Sequence, residues 1–145
     1  MSDSTVYVDG TNHILGRLAS KVAKLVLSGK RVVVVNSEKI LVSGARESVI
    51  EEWKSWLEIK SRVNPLYGPI HYRRPDRLFK RVVRGMLPRE KPKGKDALKR
   101  LKVYIGLPDE LSNKSFERFP EIEAKRPIPL YLTVAELSKS LGWRD

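Results

Sequence analysis

The sequence predicts an α/β fold built on a small, mainly parallel sheet, and three stretches of the first sixty residues predict it. TVYVD, residues 5–9, alternates like a short strand, and RVVVVN, residues 31–36, is a β-branched run typical of a strand covered on both faces. Residues 15–28 between them have helical periodicity. Strand, helix and strand over about thirty residues form a βαβ unit, in which a right-handed crossover joins parallel strands.

The helix of this unit follows a turn at residues 10–13, and Gly29 is expected to end it. Its buried face is predicted to comprise Leu15, Leu18, Ala19, Val22, Leu25 and Val26. After the second strand, residues 40–42 are a candidate for a further short strand.

A second amphipathic helix is predicted over about residues 46–60. Its apolar stripe comprises Val49, Ile50, Trp53, Trp56 and Leu57, and its opposite face carries Glu47, Glu51, Glu52 and Glu58. Because both tryptophans belong to the apolar stripe, we interpret them as core residues rather than as platforms for stacking bases.

Positive charge is concentrated in residues 61–105. This segment contains fourteen Lys and Arg against three Asp and Glu, a net charge of +11 within a chain total of +12. Residues 1–60 carry a net +2 and residues 106–145 a net −1. A field confined to less than a third of the chain predicts a polyanionic partner.

Residues 77–86 are predicted to form a helix with one apolar and one basic face, with Asp76 as N-cap and with Gly85 and Pro88 ending it. The apolar face comprises Leu78, Phe79, Val82, Val83 and Met86, and the basic face Arg77, Lys80, Arg81 and Arg84. A solvated helix face is the usual explanation of such a run. Solvated faces mix both signs, however, since like charges four residues apart repel by a few tenths of a kcal/mol. Arg77 with Arg81 and Lys80 with Arg84 are such like-charge pairs, which favours phosphates as the partner.

A basic turn and a second short helix are predicted next. In REKPKGK, residues 89–95, Pro92 and Gly94 are expected to keep the chain non-helical. A helix over about residues 95–101 is predicted to bury Ala97, Leu98 and Leu101 and to expose Lys99 and Arg100, and LKVYIG follows as a strand. The acidic residues 109–123 are predicted to lie in a solvated loop, and LYLTVAELSKSLGW is predicted to be a strand running into a helix.

Several classes of function are excluded by what the sequence lacks. It contains no cysteine, which excludes disulfides, thiolate catalysis and cysteine-ligated zinc. No signal peptide is visible, and no apolar run approaches the roughly 18 residues that span a bilayer. His13 and His71 lack metal-ligand spacing, and are interpreted as structural or RNA-contacting. We therefore predict a cytosolic protein with no enzymatic activity, cofactor or metal.

Residues 10–17 stand where a phosphate-binding loop would lie. Five residues rather than four separate Gly10 from Gly16, and Arg17 and Leu18 replace the Lys and Ser/Thr of such a loop. A tight turn that leaves the helix N-terminus open is therefore preferred. Such an N-terminus could still hold a phosphate, with Arg17 and Lys21 close by.

Five motifs, in the same order along the chain, resemble the universal large-subunit ribosomal protein family numbered thirteen. They are LGRLAS at 15–20, VVVVNSEKI at 32–40, GPIHYRRPDRLFKR at 68–81, VRGMLP at 83–88 with RLKVY downstream, and LGW at 141–143. The resemblance covers almost the entire chain. Only three residues, 28–30, stand where bacterial members carry a longer insertion, and the chain lacks the long basic C-terminal extension usual in eukaryotic members. It is therefore similar to the archaeal form.

The resemblance implies a three-layer α/β/α fold around a small, mainly parallel four-stranded sheet, with one domain over residues 1–145. Residues 1–60 would form a βαβα core, residues 61–105 the basic rRNA-binding region, and residues 106–145 a Pro-rich C-terminal segment. It implies a structural constituent of the large ribosomal subunit in the cytoplasm, assembled early on large-subunit rRNA beside neighbouring ribosomal proteins. It implies no enzymatic activity, and neither a membrane nor a small-molecule substrate is expected as a partner.

The basic helix and loop within residues 77–102 would face the rRNA. The predicted rRNA contacts are, in chain order, Arg17, Lys21, His71, Tyr72, Arg73, Arg74, Arg77, Lys80, Arg81, Arg84, Arg89, Lys91, Lys93, Lys95, Lys99, Arg100 and Lys102. Two other functions stay open on the residues alone. One is a nucleotide-binding enzyme that uses the turn at residues 10–17, and the other is a DNA or chromatin binder without sequence preference.

Overall fold

A computed structural model describes residues 5–57, 73–88, 90–124 and 131–143. Its elements are β1 (Thr5–Asp9), α1 (Leu15–Leu27), β2 (Arg31–Val35), β3 (Leu41–Ser43), α2 (Arg46–Leu57), α3 (Pro75–Gly85), α4 (Pro92–Lys99), β4 (Leu101–Val103), β5 (Tyr131–Thr133) and α5 (Val134–Ser140). A three-stranded sheet has the order β1-β2-β4 with parallel neighbours, while β3 and β5 form an antiparallel pair.

This arrangement confirms the predicted α/β class, a mainly parallel sheet flanked by helices. The strand count differs from the predicted four, because the candidate strand near residue 41 is paired with β5 outside the parallel sheet. Asn36, with a φ of 56°, and a short 3-10 turn at Ser37–Lys39 separate β3 from β2. In the part of the chain described, no helix is long and apolar enough to cross a membrane.

The two faces of the parallel sheet differ in burial. Val8, Val32 and Val34 are fully buried in the hydrophobic core. Because side chains alternate along a strand, their neighbours point to the other face. On that face, Tyr7 of β1 lies beside Val33 of β2, and Val33 lies beside Lys102 of β4. Lys102 therefore ends this row of side chains at the β4 edge of the sheet.

Helix α1 matches its prediction, ending at Leu27 with Ser28 as C-cap and Gly29 in the left-handed region at φ 99°. Its buried residues are Leu15, Leu18, Ala19, Val22, Ala23 and Val26, with Leu25 partly buried against the core. The predicted stripe of α2 likewise faces the core through Val49, Ile50 and Trp53. The side chains of Trp56 and Leu57, and residues 58–60, lie outside the described residues.

Helix α3 begins two residues earlier than predicted, because Pro75 occupies its first turn, where a proline costs no hydrogen bond. Arg74 is therefore the N-cap, and the prediction of Asp76 in that role was wrong. Leu78, Phe79 and Val83 are buried as predicted. Met86 is 44% exposed beyond the helix end, and Leu87, 6% exposed, occupies the core instead.

Helix α4 replaces most of the predicted basic turn. Pro92 begins the helix and Gly94 lies within its first turn, so the expectation that these two residues prevent helix formation was wrong. Gly94 is buried against Pro88, and a side chain there would overlap the carbonyl oxygen of Pro88. The glycine is thus required for the close approach of helix and preceding turn.

The C-terminal prediction is confirmed by β5 and α5, whose N-cap Thr133 accepts a hydrogen bond from the backbone N–H of Glu136 at 3.1 Å. The acidic segment before them is not simply a solvated loop. The N–H of Glu117 donates to the carbonyl of Tyr7 at 2.8 Å, and the N–H of Asp9 donates to the carbonyl of Glu117 at 3.1 Å. This segment therefore lies along the open edge of β1.

Candidate nucleic-acid interface

A cleft of about 620 Å³ lies between α3 and α4 and gathers most of the cations of the two helices. Its apolar floor is formed by Leu87, Leu98 and Gly94. Its cationic lining comprises Arg77, Lys80, Arg81, Arg84, Lys95 and Lys99. The sequence predicted all six as rRNA contacts, and the fold places them around one concavity.

The electrostatics of this cleft favour an anionic ligand. Among the described residues that line it there is no Asp or Glu. The like-charge neighbours Arg77 with Arg81 and Lys80 with Arg84 lie on one helix and share the same cavity. Their repulsion falls when phosphates bind, and guanidinium groups can bind phosphate oxygens in a bidentate manner.

Arg100 and Lys102 lie elsewhere. Arg100, predicted as an exposed residue of α4, is half-buried and donates a hydrogen bond to the carbonyl oxygen of Val26 at 2.8 Å. Its guanidinium thus caps the C-terminus of α1, a favourable position for a cation. Lys102 belongs to β4 and faces away from the core, on the far side of the sheet from the cleft.

A second cavity, of about 440 Å³, lies on that far face of the sheet. It is lined by Thr5, Tyr7, Arg31, Val33, Lys99, Arg100, Lys102, Tyr104 and Leu111. Lys99 lines both cavities, so the C-terminus of α4 separates them. Sequence reasoning missed Tyr7, Arg31 and Tyr104 as lining residues. For Tyr7 a signal was available, because the strict alternation of TVYVD places it on the opposite face from the buried Val8.

Four further predicted contacts, Arg73, Arg74, Lys91 and Lys93, lie at or near the N-termini of α3 and α4. Arg73, Lys91 and Lys93 are exposed, and Arg74 forms an ion pair with Asp76 through an Nε–Oδ1 distance of 3.4 Å. His71, Tyr72 and Arg89 lie outside the described residues.

The turn at residues 10–17 is hydrogen-bonded to residues 122–124 through Asn12 and Ile14. The N–H of Ile14 donates to the carbonyl of Ile122 at 3.4 Å, and that of Ala124 donates to the carbonyl of Asn12 at 2.9 Å. Lys21 Nζ lies 3.5 Å from Glu121 Oε1 and 4.9 Å from the centre of the Phe119 ring, while Arg17 is exposed. These contacts hold the turn against residues 119–124 and leave Gly16 and Arg17, in the first turn of α1, exposed.

His13 has a structural role in the same turn. It is fully buried, and its Nε2 accepts a hydrogen bond from the backbone N–H of Phe119 at 2.9 Å. Its ring also forms a T-shaped pair with the Phe119 ring at 5.9 Å between centres. Burial, partly opposed by the nearby Glu123 carboxylate, lowers the pKa of His13 below its ordinary value.

The depressed pKa of His13 predicts that acid weakens the fold. Between the lowered folded-state pKa and the unfolded value near 6.5, the unfolded chain binds a proton that the folded protein does not. The free energy of unfolding should therefore fall as pH drops below about 6.5, by at most about 1.4 kcal/mol per pH unit from this residue. Urea titrations from pH 5 to 7 on the wild type and on His13→Gln should show a stability difference that grows with pH. A difference independent of pH would contradict this role.

Comparison with known proteins identifies the family. A model of the family described as ribosomal protein L13 matches residues 3–110. The chain is 48% identical over 140 residues to large ribosomal subunit protein uL13 of Aeropyrum pernix, covering 96% of this chain and 90% of that protein. It is 45% identical over 143 residues to the protein of that name from Sulfurisphaera tokodaii, covering 98% and 97%. It is 42% identical over 146 residues to the protein of that name from Archaeoglobus fulgidus, covering 99% of this chain and 92% of that protein. All three relatives are archaeal, in agreement with the predicted form, and the chain belongs to the ribosomal protein L13 family.

Proposed function

We propose that this protein binds large-subunit rRNA in the cleft between α3 and α4 and thereby supports early assembly of the large ribosomal subunit. The observation that carries the proposal is the cleft itself, with six cationic side chains around an apolar floor and no acidic group among its described lining residues. Residues 61–105 would be the RNA-binding region of a single domain over residues 1–145, with neighbouring ribosomal proteins as further partners.

The charges of the cleft suit a phosphodiester backbone better than a small anion. Arg77 lies near the start of α3, Lys80 at its middle and Arg84 near its end, so their cations are spread over about 10 Å of helix at 1.5 Å per residue. Phosphates along one RNA strand can occupy such a row in succession. The relatives bear the name of large ribosomal subunit proteins, which points to rRNA as the polyanion.

Replacing cations of the cleft should reduce the salt dependence of rRNA binding. Each phosphate contact contributes very roughly 0.7–0.9 to the slope of log affinity against log salt concentration. The double variant Arg77→Ala/Arg84→Ala should therefore lower that slope by about one to two units and weaken binding at low salt. Both side chains are exposed, so the melting temperature should stay close to that of the wild type. Filter binding of a large-subunit rRNA fragment over a salt series measures the slope.

A matched control removes two exposed cations that do not belong to the cleft. Lys24 on α1 and Lys54 on α2 meet this requirement, and Lys24→Ala/Lys54→Ala makes the same change in net charge. An equal loss of slope in both double variants would mean that net charge rather than the cleft governs binding. Equal affinity for duplex DNA and for folded rRNA would instead favour a non-specific nucleic-acid binder.

A further inference from the structure

The cavity on the far face of the parallel sheet combines cations with aromatic rings. Arg31, Lys99 and Lys102 are exposed at its border, and no acidic residue is among the described residues that line it. The guanidinium of Arg100, which also lines it, is held by the carbonyl of Val26 and is not counted as free. Three exposed cations, with no acidic residue among the described lining, give this face the same preference for anions as the cleft.

Two tyrosines distinguish this face from the cleft, whose floor is aliphatic. Tyr7 and Tyr104 line the cavity and are half-buried, so part of each side chain meets solvent. The rings of Tyr7 and Phe116 form a T-shaped pair at 5.9 Å between ring centres, and Lys114 Nζ lies 5.7 Å from the Tyr7 ring centre. The backbone N–H of Tyr104 donates to the carbonyl of Val34 at 2.8 Å, which anchors that residue to the sheet. Both residues are therefore held at the parallel sheet, Tyr7 within β1 and Tyr104 beside β2.

We propose that this face is a second RNA-binding surface, which takes an unpaired stretch of RNA strand. Arg31, Lys99 and Lys102 would bind its phosphates, and a base would stack on Tyr104. Unpaired RNA is favoured because its bases are free to stack on aromatic side chains, whereas a duplex keeps its bases stacked inside. The proposal rests on the proposed rRNA-binding function for its class of ligand.

The position of Lys99 connects the two surfaces. Its side chain borders both cavities at the C-terminal end of α4, with the cleft on one side and the sheet face on the other. An RNA strand that follows the cations of α3 can pass Lys99 and continue onto Lys102. The cations of residues 77–102 would then bind one RNA strand on two sides of α4, rather than forming one flat basic surface.

Short oligouridylate is the probe that tests the sheet face, with a short blunt RNA duplex and polyglutamate as competitors. The sheet variant Arg31→Ala/Lys102→Ala should weaken oligouridylate binding about tenfold and lower its salt slope by about one to two units. Tyr104→Phe keeps the ring and should bind like the wild type, whereas Tyr104→Leu should lose at least about fivefold. Photo-crosslinking of 4-thiouridine-substituted oligouridylate should map to Tyr104.

The cleft variant Arg77→Ala/Arg84→Ala separates this proposal from the proposed function. If the sheet variant binds like the control Lys24→Ala/Lys54→Ala while the cleft variant is weakened, the sheet face is not an RNA surface and the proposed function stands. If only the sheet variant is weakened towards oligouridylate, this proposal stands; the cleft assignment fails as well if the cleft variant keeps the wild-type salt slope for the rRNA fragment. Equal binding of the duplex, or displacement of oligouridylate from the cleft variant by polyglutamate at equal concentration, would also overturn it. The latter result would assign the face to an acidic protein segment.

Discussion

Replacing Gly94 by alanine is expected to destabilise the protein by about 3 kcal/mol or more, at or above the upper end of the usual range for overpacking. A β-carbon at this position would overlap the carbonyl oxygen of Pro88 and lie 3.1 Å from its Cγ. The obstacle is a backbone carbonyl within a turn, which no change of rotamer can move. The N–H of Lys91 also donates to that carbonyl at 3.1 Å, so a displacement of Pro88 would break this hydrogen bond as well.

The damage should reach the cleft before it reaches the rest of the core. Gly94 and Leu87 contribute to the cleft floor, and α4 carries Lys95 and Lys99 on its rim. A forced separation of α4 from the preceding turn would widen this space and misplace both lysines relative to α3. We therefore expect Gly94→Ala to weaken rRNA binding even at temperatures where circular dichroism shows a folded protein.

Gly85→Ala provides the matched control for this substitution. Gly85 is the last residue of α3, and a β-carbon there would have no heavy-atom neighbour within 4 Å among the described residues. The same chemical change should be neutral or stabilising there by about 0.4–1 kcal/mol, because it reduces the entropy of the unfolded chain. Thermal melts of both variants measure the contrast. A Gly94→Ala melting temperature equal to that of wild type would refute the proposed close approach.

The elements of the core could be predicted from the sequence because each carries its own periodicity. The β-branched run at Arg31–Val35 predicts a strand and the apolar stripe of Leu15–Leu27 predicts a helix. The observed bounds of both differ from the predicted ones by one residue. The match to the ribosomal protein L13 family also confirms the family that the five sequence motifs predicted.

Helix α4 could not be predicted in the same way. Proline and glycine two residues apart are typical of a turn, yet proline is equally suited to the first turn of a helix, where its missing N–H is not needed. Glycine is needed at position 94 because the backbone there lies against Pro88, and this contact exists only once the chain is folded. Local composition therefore favoured the wrong structure at Pro92.

The candidate site was predicted as a set of residues but not as a geometry. The charge of residues 61–105 indicated the basic region, whereas its division into two surfaces depends on the register of β4 beside β2. That register places Lys102 next to Val33, on the face of Arg31 and Tyr7. Two residues far from the basic segment, Tyr7 and Arg31, join the second cavity only through this pairing, and Tyr104 joins it from the end of β4. Pairing between strands distant in the chain is not encoded in the pattern of either strand.

Replacing Phe79 by alanine should remove about 3–5 kcal/mol of stability, the usual range for truncating a buried aromatic ring. Phe79 is fully buried, and by residue volume it is the largest of the fully buried side chains among the described residues. Its burial holds α3 in place against the repulsion of the cations on its other face. That repulsion amounts to a few tenths of a kcal/mol per pair, whereas each buried large apolar side chain contributes roughly 1.5–3 kcal/mol. The melting temperature should fall by about 10–15 °C, and that of Arg84→Ala, an exposed control on the same helix, should not.

Large-subunit rRNA should restore much of the stability that Phe79→Ala loses. A ligand that binds only the folded state stabilises it by about 2.7 kcal/mol at a concentration one hundred times its dissociation constant. Bound phosphates would also remove the repulsion between Arg77 and Arg81 that opposes α3. Thermal melts of Phe79→Ala with and without an rRNA fragment should therefore differ by several degrees, and the same variant with Arg77→Ala/Arg84→Ala added should recover less. Equal recovery in both backgrounds would show that the RNA stabilises the protein without engaging α3, and the cleft would then lose its assignment as the RNA-binding surface.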